Sequence, residues 1–309
     1  IIINGNNSTL KYEDPNLNGF RIKILNSNNI SINNLRIDNN NTKANYINDN
    51  SLSSGRIEVF NSSFIEFASI DINKQTIVGN TNGTVHQIYF KETTNSIIKD
   101  CKIESSDGEL IMLKASKECL VKGNFLNEGW SGIATAGFID SGVNKFGYNN
   151  RVVDNTITNS STAFITINDR DAFVEGNYIF NNDSTIKHGP GIRFGHDVEY
   201  LYASNAICKN NIIENLKYPN GSYNPVGIKV DYTQSTESNQ EYTDLIIEGN
   251  TIRNCQGGIK ISNQSGQHLM IKDNEISTTI WPSIELFSAD SGGQTEPQNC
   301  LVSNNFLSS

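Results

Sequence analysis

The stretch "LIIEGNTIRN" occupies positions 245–254, and close variants of it return along the chain. They read "CLVKGNFLN" (119–127), "RVVDNTITN" (151–159), "AFVEGNYIF" (172–180), "AICKNNIIEN" (206–215), "LMIKDNEIS" (269–277) and "CLVSNNFLS" (300–308). The shared form is an apolar residue, any residue, Gly/Asp/Asn, Asn, any residue, then Ile or Leu. The fixed Asn falls at Asn124, Asn155, Asn177, Asn211, Asn250, Asn274 and Asn305, at intervals of 31, 22, 34, 39, 24 and 31 residues. Three weaker copies precede these, "NISINNLRI" (29–37), "FIEFASIDI" (64–72) and "SIIKDCKI" (96–103), with Leu35, Ile70 and Cys101 in the Asn slot.

A second short apolar segment accompanies each copy, ten in all, from "GFRIKI" (19–24) to "SIELF" (283–287). These segments alternate with period two, the mark of a strand with one buried face. Units this short cannot bury a core alone, but stacked they enclose one continuous interior. A helical repeat would show a 3.6-residue period, and none is present. The spacing therefore predicts a coil of parallel strands of about ten turns, one turn per unit. The repeated Asn has an architectural explanation. At a fixed bend it tolerates left-handed backbone geometry. On turns stacked about 4.8 Å apart, equivalent amides can bond to one another as a ladder.

Composition agrees. The chain has 309 residues, of which 36% are hydrophobic and 18% charged, and its mean hydropathy is −0.41. Such a polar, turn-rich composition suits short strands joined by many bends. The net charge of −9, with no Lys/Arg run, argues against a nucleic-acid partner, because phosphate binding needs clustered cations. No stretch approaches the roughly 20 apolar residues of a membrane-spanning helix. The five cysteines are odd in number and match no zinc spacing, and they are expected as buried thiols without a disulfide framework. Residues 1–309 are read as one domain, expected to be part of a longer chain.

The "I-x-x-N-x-I … G-I-x-I" rhythm resembles the right-handed parallel β-helix proteins of the pectin-lyase-like superfamily. The resemblance covers nearly the whole chain. It implies an all-β, right-handed, single-stranded parallel β-helix solenoid. It also implies action on a polysaccharide, since the superfamily includes pectate and alginate lyases, polygalacturonases, epimerases and phage tailspike depolymerases. The Gly-His-Gly and Asp-rich motifs of polygalacturonases do not occur here in order, nor does the Arg-x-Pro-x-x-Arg pattern of pectate lyases. The tailspike likeness implies an extracellular or virion-associated setting and allows a homotrimer.

Long connections indicate where a groove is carved, since most links in compact domains are short. The longer ones are 137–150, 181–190, 195–205, 216–225 and 231–244. Near them lie the strand ends "TINDRDAF" (166–173), "GIRFGHDVEY" (191–200) and "GIKVDYTQ" (227–234). Aligned on their Ile-x-apolar cores, these ends are expected to present Asp169, Asp171, Arg193, His196, Asp197, Lys229 and Asp231 on three neighbouring turns. Hydrolysis of a glycoside uses two carboxyl groups. Asp169 and Asp231 would stand two turns apart, roughly 9.6 Å by strand spacing, at the wide limit for an inverting pair. A lyase would instead use His196 as base, with Arg193 and Lys229 neutralising a uronate carboxylate.

The same cluster thus serves two mechanisms. Hydrolysis is preferred because no calcium-like carboxylate cage accompanies the cations; Ca2+ enters only if the protein is a lyase, and no other cofactor or metal is expected. The catalytic candidates are Asp169, Asp231, His196, Arg193 and Asp197. Asp171, Lys229, Tyr200, Tyr202, Tyr218, Tyr223 and Tyr232 are the candidates for holding substrate, because tyrosine offers a flat apolar face and a hydroxyl to a pyranose ring. His86, His188 and His268 are read as structural, and Glu58, Lys91, Glu92, Lys114 and Glu285 as solvated charges on outer strand positions. The rival from another class is a non-catalytic carbohydrate-binding adhesin or fibre, which would keep the tyrosines without needing the carboxylates.

Overall fold

The computed structural model describes residues 1–11, 22–38, 54–73, 85–106, 108–183, 189–195, 205–217, 225–230, 244–261, 268–278, 280–286 and 300–308. These residues form a right-handed parallel β-helix and contain no helix. Ten strands, from Ile22–Leu25 to Ile284–Leu286, stack in register as one parallel sheet, and they are the ten segments that alternate in the sequence. The repeat motif supplies the other walls, a twenty-stranded sheet in which most turns contribute two short strands that flank the Asn corner.

Strand alternation becomes columns. In the ten-strand sheet one inward column is isoleucine on every turn: Ile22, Ile57, Ile88, Ile111, Ile133, Ile165, Ile192, Ile228, Ile259 and Ile284. Most of these are fully buried. Burying such a side chain stabilises the fold by about 1.5–3 kcal/mol, so the column is a principal source of stability. Cys101, Cys119, Cys208 and Cys255 are buried inside as free thiols, and Cys300 is half-buried. Burial pushes Cys101, Cys119 and Cys255 up to about 12, so they stay neutral and inert.

The asparagines form the expected ladder. The Nδ2 of Asn124 donates to Oδ1 of Asn155 at 2.9 Å, and the same bond repeats from Asn155 to Asn177, Asn177 to Asn211, Asn211 to Asn250, Asn250 to Asn274 and Asn274 to Asn305. Each acceptor oxygen also takes the backbone N–H of the preceding ladder residue. Cys101 stands in the Asn slot of its weaker copy, since its N–H donates to Asn124 Oδ1. The Gly/Asp/Asn position just before the ladder is left-handed on each of these turns, with φ between 53° and 67° at Asp100, Gly123, Asp154, Gly176, Asn210, Gly249, Asp273 and Asn304. This explains the restricted residue choice at that position, because these are the types that tolerate positive φ.

Candidate functional site

Arg193 and Lys229 stand where the strand alignment puts them. They are register partners on the outer face of the ten-strand sheet, between Thr166 and Lys260. The outward column thus runs Thr166, Arg193, Lys229, Lys260, Glu285, with Lys260 Nζ 3.6 Å from Glu285 Oε2. His196, Asp197, Asp231, Tyr200, Tyr202, Tyr218, Tyr223 and Tyr232 lie outside the described residues, as does His188.

Asp169 does not join that face. It points into the coil and is 1% exposed, where Asn150 Nδ2 donates to its Oδ2 at 2.6 Å. The strand ends at Ile167, and past it the chain turns a corner. Period-two alternation carried on from inward Ile165 and Ile167 already turns Asp169 inward; aligning the strand ends by position, without applying that alternation past Ile167, misplaced this side chain. Asp169 ends a polar stack in which Asn150 also donates to Ser116 O and accepts from Cys119 N–H. Gly147 packs so closely on it that a Cβ there would lie 2.2 Å from Oδ1. Asp171 is likewise a corner residue. Its φ is 54°, it is exposed, and its Oδ1 accepts from Asn205 Nδ2 at 3.1 Å, in a column with left-handed Asn149 and Asn205. A carboxyl buried as Asp169 is cannot touch a polymer.

Burial pushes the Asp169 carboxyl from 3.8 up to about 7, against the opposing pull of Asn150 and Thr135. The folded protein therefore holds a proton here that the unfolded chain releases above about pH 4. Asp169 is expected to make stability fall as pH rises from about 4 to about 7 and to leave it level beyond. Asp169→Asn should flatten that slope in denaturation curves taken across the window. An unchanged slope would show that Asp169 does not carry it.

Other expected outer charges also differ. Glu58 is 3% exposed and lies beside Tyr89 on the outer column. His86 is buried with Nδ1 2.7 Å from Glu109 Oε2, its ring stacked 5.2 Å from Tyr89. The 137–150 connection folds into an antiparallel hairpin, Phe138–Asp140 with Val143–Lys145. Phe138 sits among three ammonium groups, Lys91 at 4.4 Å, Lys145 at 5.4 Å and Lys114 at 5.7 Å. Burial, aided by Lys91, lowers the Lys114 pKa.

Among the described residues, two clefts flank the ten-strand sheet. Before its strands, a groove of about 570 Å3 gathers Glu104, Glu128 and Asp183 with Phe125 and Phe180. Its floor is one column, since Glu104, Asn127, Thr158 and Phe180 pair on successive turns. Asn127 Oδ1 accepts from Thr158 Oγ1 at 2.6 Å and from Asn159 Nδ2 at 3.0 Å, which fixes the floor. Lys102 Nζ holds Glu104 Oε1 at 2.9 Å. Phe180 stacks on Tyr178 at 4.9 Å, and Tyr178 donates to Glu214 Oε2 at 3.0 Å. After the strands, a second cleft of about 410 Å3 gathers Glu92, Lys117, Lys145, Phe146, Tyr148 and Arg170. Among the described residues no three His, Cys, Asp or Glu side chains converge as a metal site.

Sequence reasoning missed both clefts. A signal for the first lay in the free slot after the ladder Asn, which holds Phe125 and Tyr178, 39% and 38% exposed. Large rings at an outward slot have no core to fill.

No family model and no curated protein sequence matches the chain. Solved structures do. The catalytic unit of a GH87 α-1,3-glucanase from Streptomyces thermodiastaticus superposes with a TM-score of 0.59 at 13% identity, over 100% of this chain and 62% of that one. The ORF18 protein of Geobacillus virus E2 matches with 0.58 at 10% identity, over 91% and 50%. The tailspike of E. coli bacteriophage HK620, in complex with a hexasaccharide, matches with 0.56 at 11%, over 91% and 51%. The chain has the parallel β-helix fold of these proteins. It spans between half and about three fifths of their length.

Proposed function

We propose that this β-helix binds a polysaccharide along its outer surface and hydrolyses it, in an extracellular or virion-associated setting. The observation that carries the reading is the acid-and-aromatic groove. Glu104 and Glu128 stand on neighbouring turns there, because Glu128 follows Asn127, the register partner of Glu104. Strand spacing and rise put their backbones about 6 Å apart, so their side chains can flank one glycosidic bond. Phe125 and Phe180 offer rings for pyranose faces to stack on. Glu104, with the Lys102 ammonium beside it, suits the charged role of base or nucleophile, and Glu128 the role of proton donor. The fold supports the polymer: its named neighbours include a glucanase and a tailspike in complex with a hexasaccharide.

The lyase alternative draws on a different observation, the outward column Arg193, Lys229 and Lys260, which could neutralise a uronate carboxylate. One experiment separates the readings. The protein is incubated with a panel of capsular and plant polysaccharides, and reducing ends are followed together with ultraviolet absorbance of unsaturated uronates. Reducing ends without absorbance support hydrolysis. Both signals together move the chemistry to the cation column. Glycan binding without either signal makes the protein a non-catalytic fibre.

A further inference from the structure

Lys117, Tyr148 and Arg170 hold the same corner position on three successive turns, joined by parallel bridges. They line the 410 Å3 cleft that follows the ten-strand sheet, with Glu92, Lys145 and Phe146. The groove proposed for cleavage precedes that sheet, so the strand Ile111–Lys114 separates the two. The charges in the cleft do not balance. Among the described residues Glu92 is the one carboxylate lining it, and that group is held by Lys145, which also bonds Asp140 at 2.9 Å. Lys117 and Arg170 make no ion pair among the described residues. Their partners are rings: Lys117 Nζ lies 5.0 Å from the centre of Tyr148, and the Arg170 guanidinium 4.4 Å from that of Phe146. Two positive charges thus face one cleft in a chain whose net charge is −9.

We propose that this cleft binds a carboxylate-bearing saccharide unit. Arg170 and Lys117 would take the carboxylate, since a guanidinium fork matches its two oxygens. Tyr148, between the two cations in the column, would stack on the sugar face. The volume falls within the range of small-molecule pockets, about 300–1,000 Å3. The choice of a saccharide rests on the polysaccharide reading above; the preference for an anion does not, and neither requires that the chain cleave anything.

The test is ligand-observed NMR on the whole protein with D-glucuronate and D-galacturonate, against glucose and galactose. The acids are expected to bind and the neutral hexoses not, and binding should weaken as sodium chloride is raised. Lys117→Gln and Arg170→Gln should each weaken it about tenfold, with thermal unfolding unchanged. Equal binding of acids and hexoses would overturn the proposal. So would a doubly substituted protein that melts normally and still binds glucuronate. Benzoate or inorganic sulfate binding as tightly as either uronate would overturn the saccharide and leave a general anion site. Because binding is read and not turnover, failure here is distinguishable from failure of the hydrolysis assay.

Discussion

Asn211→Ala should unfold at a much lower denaturant concentration than the parent protein, by roughly 3–6 kcal/mol. Asn211 is fully buried in mid-ladder. Its Nδ2 donates to Asn250 Oδ1 at 2.9 Å, to Val174 O at 3.1 Å and to Lys209 O at 3.0 Å. Its Oδ1 accepts from the N–H and the Nδ2 of Asn177, at 3.0 and 2.9 Å. Alanine withdraws both sets at once, and the apolar interior offers no replacement. Each buried polar group left unmatched costs about 1–3 kcal/mol. A loss of this size is a large share of the 5–15 kcal/mol that holds a typical domain together. Asn211→Asp is expected to be worse, because a carboxylate can accept from Asn177 but cannot donate to Asn250, and it would bring a charge into the core. Urea titration followed by far-ultraviolet circular dichroism measures this. Asn305→Ala is the control, since Asn305 ends the described ladder, is only partly buried and, among the described residues, donates onward to Ile271 O alone. Equal losses at the two positions would mean that the ladder is not what makes Asn211 matter.

That ladder is also the reason the fold could be read from the sequence. A solenoid repeats each demand on every turn, so six copies of one bond leave seven asparagines in one slot. The isoleucine column is legible for the same cause. The site is not repeated, and so left no period. Asp169 shows how a positional alignment misleads where the alternation does not: Ile165 and Ile167 face inward, and the carboxyl two residues on keeps their parity. Arg193 and Lys229 fall within strands, where parity holds, and their pairing was predictable. Glu104, Glu128, Lys117 and Arg170 come from different turns, at or beside corners, and converge only through register. Gaps of 22–39 residues between copies hide that register from a linear reading.

If the groove cleaves, Glu128→Gln should lower turnover about 10²- to 10⁴-fold, the usual contribution of a positioned acid or base, and leave glycan affinity and melting nearly intact. Glu128 is placed for this by its corner: its backbone is left-handed, with φ of 60°, and its N–H is bound to Thr158 O. Gln keeps the size and loses the proton. Glu104→Gln should lose turnover to a similar degree, and it also removes the charge that Lys102 binds. The double variant should be little worse than either single one, because residues that act as a unit are not additive. Asp231→Asn is the opposing measurement. Asp231 lies outside the described residues, and the strand alignment made it a catalytic candidate. Should Asp231→Asn abolish turnover while both glutamine variants retain it, the chemistry belongs beside Arg193 and Lys229, and the groove is a place where sugar rests.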